Sequence, residues 1–409
     1  MPTRRWHRYG RGWNRGSGRP GGQRTGPTVL KILELTALAI LAHISFSGVR
    51  VCLSLAAIDA GAGPLGIGAL LSLYALVPTI LSLVGGRWID RIGVRWPLFV
   101  GTGLMVIGGL LSYLLPHFWT LFATSTLVGS GFLLSQLVMQ KMTGDLGRST
   151  EHRRKVFGIL AIGYSISGVV GPSSSGVLYD RVGGAQTFLA LSALSLLVML
   201  WLFLRRQRLP GPAAEMPVQR RFSDLLKTAE LRRLYLAVGL ISSAWDVHQF
   251  VVPIYGRSIG LSATEVGFVL GAFGLATLVV RLILPLLSSL TEWTAIMTAQ
   301  VVATVVYIFY PLFDRFEVLV GLSFALGLGL GVSQPMVLSL MHRVTPPGRI
   351  GEAAGLRLMI VNGTQTLLPS VFGVLGSAFG VGLLFWTVGS MVGMGVLNQW
   401  RAGYNDRHG

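Results

Sequence analysis

Twelve apolar runs dominate this chain, each long enough to cross about 30 Å of hydrocarbon, which takes roughly 20 residues of helix. They fall near 32–55, 66–86, 97–115, 119–140, 156–178 and 186–204. After a polar, basic segment at 205–233 they resume near 234–256, 264–287, 294–312, 317–340, 353–377 and 379–399. A backbone in hydrocarbon must satisfy its own N–H and C=O groups, so runs of this length are expected as helices. The fold class that follows is an all-α integral membrane protein. Only 12% of the residues are charged, where a soluble domain carries roughly a quarter. The single cysteine, Cys52, excludes a disulfide framework and any cysteine-based metal site.

The runs divide the chain into a basic tail (1–29), a six-helix unit (30–204), a central linker (205–233), a second six-helix unit (234–400) and a short tail (401–409). Residues 1–29 contain neither an apolar core nor an acid. They are expected as a disordered basic tail touching anionic lipid head groups rather than as a cleaved signal. An even number of spans puts both ends on one face. On or near that face lie 30 of the 34 Lys and Arg residues, whereas Arg181, Arg257 and Arg315 lie opposite and Arg50 sits within the first span. Basic residues gather on the cytoplasmic side, so both termini are expected in the cytoplasm. The net charge of +18 is thereby topological, and no nucleic-acid partner is expected.

The two units repeat one another. Gly158 is followed by Pro172-Ser173-x-x-Gly176-Val177-Leu178 and then Gly183, and at a constant offset of 197 Gly355 is followed by Pro369-Ser370-x-x-Gly373-Val374-Leu375 and then Gly380. Gly131 and Ser135-Gln136 recur as Gly329 and Ser333-Gln334 at 198, and Gly68 recurs as Gly267 at 199. Two parallel six-helix repeats imply a transporter architecture, with substrate bound near the midplane between them.

Between the second and third runs, Gly85-Gly86-Arg87-Trp88-Ile89-Asp90-Arg91-Ile92-Gly93-Val94-Arg95 packs three arginines, an aspartate and three glycines into eleven positions. Such a segment is expected as a tight charged turn outside the hydrocarbon. As Gly86-x-x-x-Asp90-Arg91-x-Gly93-x-Arg95 it resembles the cytoplasmic loop between helices two and three of the major facilitator superfamily. The second unit lacks it: at the 199 offset, Gly86, Asp90 and Arg95 fall on Pro285, Ser289 and Thr294. In the fifth run, Gly163, Gly168, Gly171, Pro172 and Gly176 resemble the superfamily's antiporter motif without its terminal glycine pair. Close helix packing accounts for the same residues.

Ionisable groups inside spans cost about 2.5–3.5 kcal/mol each at a helix centre, which makes them functional candidates. The first span carries His43 and Arg50 on one face, with Ser47 between them. The seventh carries Asp246 and His248, which point to nearly opposite sides, and Gln249. The resemblance implies that helices one, four, seven and ten line a central cavity. Its wall would then include His43, Arg50, Gln136, Asp246, Gln249 and Gln334. Arg50 and Asp246 are expected to face each other across its outer half, with Asp246 taking up and releasing a proton; the alternative is a static pair that makes two buried charges tolerable. For His43 and His248 the stronger reading is an interior hydrogen-bonded histidine, and Trp245 and Phe46 read first as packing.

The expected function is secondary transport of a small molecule, leaning to proton-coupled export of an amphiphilic compound. Proton-coupled uptake of an organic acid, with Arg50 as its clamp, is the alternative. A membrane sensor or scaffold that kept the fold is the alternative from another class. No enzyme, no cofactor and no metal is expected: the sequence has no P-loop, no metal-spaced His/Glu set and no nucleophile beside a base. A monomer in a bacterial-type plasma membrane completes the expectation. The resemblance also implies that Asp90 meets the N-terminus of helix eleven when the cytoplasmic side is closed, where Glu352 competes with it. Asp90→Asn is therefore expected to cut substrate flux severely at near-normal expression; wild-type flux in that variant rules the latch out.

Overall fold

The computed structural model describes residues 27–146, 150–204, 225–226, 228–284, 291–346 and 349–408. Among them are twelve α-helices: α1 (Pro27–Asp59), α2 (Pro64–Ile92), α3 (Arg95–Leu114), α4 (Phe118–Leu146), α5 (Thr150–Val182), α6 (Gly184–Leu204), α7 (Ala229–Ser258), α8 (Ala263–Ile283), α9 (Glu292–Phe309), α10 (Phe316–Val344), α11 (Ile350–Phe379) and α12 (Val381–His408). The expected twelve-helix fold is present. Most of the basic tail and of the central linker lies outside the described residues.

The helices overrun the apolar runs at their ends. Residues 85–92 continue α2, so the expected tight charged turn shrinks to Gly93 and Val94. Gly93, at φ 82°, stops the helix with a conformation that a side chain rarely adopts. Gly86, Asp90 and Arg91 therefore ride on the last turns of α2, and Arg95 opens α3. The side chains of Asp90 and Arg91, like that of Glu352 on α11, lie outside the described residues. The segments assigned to tails and linker also shorten: α1 begins at Pro27, α7 at Ala229, and α12 runs to His408.

Among the described residues, ten helices are long and apolar enough to cross a membrane. The apolar part of α2, Pro64–Ile80, is shorter, and α7 is not among the ten. The reason lies in its surroundings. Of the 30 residues of α7, 18 are buried, Asp246 and His248 included, so its polar groups meet protein instead of lipid.

The repeat explains itself at two seams. Gly183 and Gly380, its closing glycines, end α5 and α11 at the same φ of 87°. A Cβ on Gly176 of α5 would run into the Ala263 carbonyl of α8 and lie 3.1 Å from the Gly267 Cα. A Cβ on Gly68 of α2 would meet the Pro369 carbonyl of α11 and lie 3.1 Å from the Gly373 Cα. These are equivalent contacts, α5 on α8 and α2 on α11, and they hold the two halves together. Polar contacts follow them: the Ser173 hydroxyl donates to the Gly267 carbonyl (3.4 Å) and that of Ser370 to Ser72 Oγ (2.7 Å). Helices surrounded by lipid gain no hydrophobic force from touching, so small residues that let backbones approach supply the association. Gly158, the repeat's first glycine, faces open space.

A valine at Gly176 has to push α8 away, which costs about 1–3 kcal/mol as overpacking does elsewhere. Gly176→Val is expected to lower the melting temperature of the purified protein by several degrees, and Gly158→Val to leave it nearly unchanged. Equal melting of the two variants contradicts the seam.

Candidate functional site

A cavity lies where α7, α10 and α11 converge, lined by Trp245 and Asp246, by Ser333 and Gln334, and by Arg357 and Gln365, with valines and an isoleucine between them. Its lining runs from mid-helix toward the face that carries both chain ends. Asp246 is 2% exposed. Its Oδ2 contacts Thr364 Oγ1 of α11 at 3.2 Å, while its Oδ1 is buried with no hydrogen-bond partner. The same Thr364 hydroxyl lies 2.7 Å from the Val361 carbonyl. A hydroxyl has one proton to give. If it goes to Val361, the contact with Asp246 needs the proton on the carboxyl; if it turns to Asp246, it serves the carboxylate. Thr364 thus accommodates both protonation states of Asp246 without moving the backbone.

Of the six candidates for a cavity wall, this one collects Asp246 and Gln334. Arg50 on α1 lies within electrostatic reach of Asp246, and its buried Nε has no hydrogen-bond partner. His43 stands in an aromatic cluster with Phe46, Phe132 and Tyr164, at ring distances of 5.9, 5.4 and 5.1 Å. His248 points the other way from Asp246, as a two-residue step on a helix dictates. Its Nε2 lies 3.0 Å from Ser323 Oγ of α10, and its ring stacks on Phe273 at 4.7 Å. That is an interior hydrogen-bonded histidine. Gln136 and Gln249 are half-buried on α4 and α7. Gln334 is joined to Arg281 of α8, whose Nη2 donates to its Oε1 at 3.5 Å. The Nη1 of Arg281 donates across the halves to the Ala161 carbonyl (2.6 Å) and to Ser165 Oγ of α5.

The glycine motif of α5 serves two neighbours. Gly171 packs on α1, where a Cβ would strike Ser47 Oγ and lie 3.1 Å from the Ile44 carbonyl. Gly176 faces α8, and the Gly168 carbonyl borders it: a Cβ on Gly274 would lie 2.5 Å from that carbonyl, whereas a Cβ on Gly168 itself would meet open space. Pro172 also meets α8, since a Cβ on Gly267 would lie 2.6 Å from its carbonyl. Gly171, Pro172 and Gly176 are thus packing surfaces.

The opposite face is closed by three contacts that sequence reading missed. The Asp180 carboxylate, at the end of α5, accepts from the backbone N–H groups of Ala263 (3.2 Å) and Thr264 (2.6 Å) at the start of α8. Asp59 at the end of α1 pairs with Arg257 of α7 at 2.9 Å and accepts from the Tyr179 hydroxyl at 2.7 Å. A carboxylate at a helix N-terminus meets unsatisfied N–H groups and the positive end of the helix dipole. The device is the one expected of Asp90 and α11, an acid of the first half at a helix N-terminus of the second, here on the other face. The lining of the cavity lies toward the other face from these contacts.

Residues 35–369 match the family described as Major Facilitator Superfamily. The chain belongs to that superfamily. Among its relatives, the vesicular acetylcholine transporter of Homo sapiens is 29% identical over 130 residues, which cover 32% of this chain and 24% of the relative. The chromaffin granule amine transporter of Rattus norvegicus is 23% identical over 335 residues, covering 77% of this chain and 59% of its own length. The alignments thus span from about a quarter to three-fifths of these relatives. Among solved structures, a POT family transporter in complex with 5-aminolevulinic acid superposes with a TM-score of 0.78 at 14% identity, covering 91% of this chain and 95% of that one. That likeness shows the major facilitator fold.

Arg357, Thr364 and Gln365 were also missed. Together with Val361 they recur at helical spacing along one side of α11, and that periodicity of polar residues in an apolar helix is the signal that finds them. Of the outer contacts, the Asp180 cap is the one to test, because the exposed Asp59–Arg257 pair is worth little by itself. Removing the charge of the cap costs roughly 1 kcal/mol, about a fivefold change in the share of molecules with this face open. In a Cys52→Ser background carrying Gln249→Cys, Asp180→Asn is expected to speed labelling by an impermeant maleimide from this face about fivefold. Unchanged labelling removes the cap as a gate.

Proposed function

We propose that this superfamily member is a secondary transporter that exports an amphiphilic small molecule in exchange for protons. The observation that carries the reading is Asp246: a carboxyl buried within a cavity, with one oxygen unpartnered and a Thr364 hydroxyl able to serve it with or without a proton. Membership of the superfamily points to transport and away from an enzyme. The two seams allow the halves to rock about α5–α8 and α2–α11, so the closed outer face and the cavity turned the other way are one of two access states.

In this reading the face with both chain ends is cytoplasmic, because the basic residues gather there, and the membrane is a bacterial-type plasma membrane. Substrate enters the cavity from the cytoplasm. The outer contacts of Asp59 and Asp180 then break, substrate leaves, and a proton takes its place on Asp246. The relatives named for acetylcholine and amines fit the exchange of an organic cation against a proton at one carboxylate. Gln334 positions substrate or, through Arg281, ties α10 to α5 while the cavity is loaded. The chain works as a monomer in this scheme, with anionic lipid head groups against its basic face.

The alternative, uptake of a small organic acid, draws on Arg50, whose buried Nε has no hydrogen-bond partner. A sensor or scaffold that kept the fold moves nothing. Inverted membrane vesicles with an imposed proton gradient and a pH-sensitive dye separate the three. Compound-dependent dissipation by the wild type, reduced at least tenfold in Asp246→Asn, is expected. Equal dissipation by the variant makes Asp246 structural, and a panel that moves no protons overturns export.

A further inference from the structure

We infer that the substrate of this cavity is a zwitterionic amphiphile, with a protonated amine and an acidic group at opposite ends of an apolar body. The inference rests on the reading that the Asp246 cavity is the transport site, and it adds a second anchor, Arg357. This arginine enters the bundle on α11 and lines the same cavity as Asp246, and its Nε is buried without a hydrogen-bond partner. The Oδ1 of Asp246 is in the same condition. A half-buried guanidinium and a buried carboxylate would each lose much of their desolvation cost by pairing. They form no ion pair with one another.

The geometry of α11 says why. Thr364, the partner of Asp246, stands seven residues after Arg357, about 10 Å along the helix axis. The two opposite charges therefore hold separate ends of one cavity. Arg50 lies within electrostatic reach of Asp246 but forms no ion pair with it, so a molecule with a single charge still satisfies one end and leaves the other without a contact. A molecule with both charges on a single carbon is too short to reach both. An amine and an acid separated by several bonds satisfies the two together, with a charge-assisted contact at each end. Between them, Trp245 and Val361 face the ligand's body, while Ser333, Gln334 and Gln365 supply polar contacts around it. Arg281 is not available for the acid, since it is engaged with Ala161, Ser165 and Gln334.

The test is equilibrium binding to the purified full chain in detergent, without any gradient, so that it stands apart from proton coupling. The probes are 4-(aminomethyl)benzoic acid and its homologues lengthened by one and two methylenes on the acid side, each compared with its methyl ester and its N-acetyl derivative. At least one free amino acid of the set is expected to bind at least tenfold more tightly than both of its derivatives. Arg357→Gln is expected to weaken that amino acid about tenfold and leave its ester within twofold, with an unchanged melting temperature of the unliganded protein. An ester that binds as tightly as its parent makes the substrate a plain cation, and an N-acetyl derivative that does so makes it a plain acid; either overturns the inference. Failure of the whole set to bind overturns it as well. Should Arg357→Gln not fold, the comparison of derivatives on the wild type still decides. If the binding pattern holds but no proton flux accompanies it, the export reading falls and the substrate class stands.

Discussion

The contact between bare backbone on facing helices is what the rest of this structure depends on. At Gly176 on Gly267 and at Gly68 on Gly373, two helices approach so closely that a methyl group has no room. Water cannot drive these helices together, because the lipid around them is as apolar as their own side chains. Dispersion between surfaces that fit, and a few hydroxyl-to-carbonyl bonds, must do it. Surfaces of this kind are smooth as well as close. Seams of glycine and serine bind two rigid units without interlocking long side chains, which is what a joint between moving halves requires.

A second constraint comes from charge. The core contains few ionisable groups, and they are held in contrasting ways. His248 bonds Ser323 through Nε2 and stacks on Phe273 while its Nδ1 has no partner, and Arg281 is bonded on both sides of the joint. Asp246, Arg50 and Arg357 each keep a buried polar atom with no partner. Evolution tolerates an unsatisfied buried charge only where something else completes it for part of the time. Of these groups Asp246 and Arg357 line the cavity, which sets them apart from His248 in its packed interior.

Much of the fold was legible because membrane physics makes it so. Apolar runs had to be helices, and the repeated Pro-Ser-x-x-Gly pattern marked the surfaces where the halves touch. The opposed directions of Asp246 and His248 followed from helical geometry alone. What stayed hidden depends on contacts between distant parts of the chain. Asp59 and Arg257 are separated by 198 residues, and nothing local to either marks it as half of a pair. Asp180 looked like an ordinary surface acid, since its partners are backbone N–H groups and leave no trace in side-chain chemistry. Arg357 was read as one more basic residue of the cytoplasmic face, because counting charges by loop ignores which way a helix turns. The charged segment at 85–92 was taken for a turn on its composition, where Gly93 alone sets the end of the helix.

The composition of α7 has a consequence for how the protein is made. The helix that carries Asp246 and His248 is not among those apolar enough to enter a bilayer unaided, and an aspartate at a helix centre adds about 2.5–3.5 kcal/mol to that difficulty. It is synthesised after six helices that form a unit of their own and before the partners that bury it. Its stable home in the membrane is built mainly by α11 and α12, with α8 and α10 beside them, all of which leave the ribosome later. Biogenesis of the second half is therefore cooperative around α7, and during that interval the exposed α7 is a part of the nascent chain that quality-control machinery has reason to recognise.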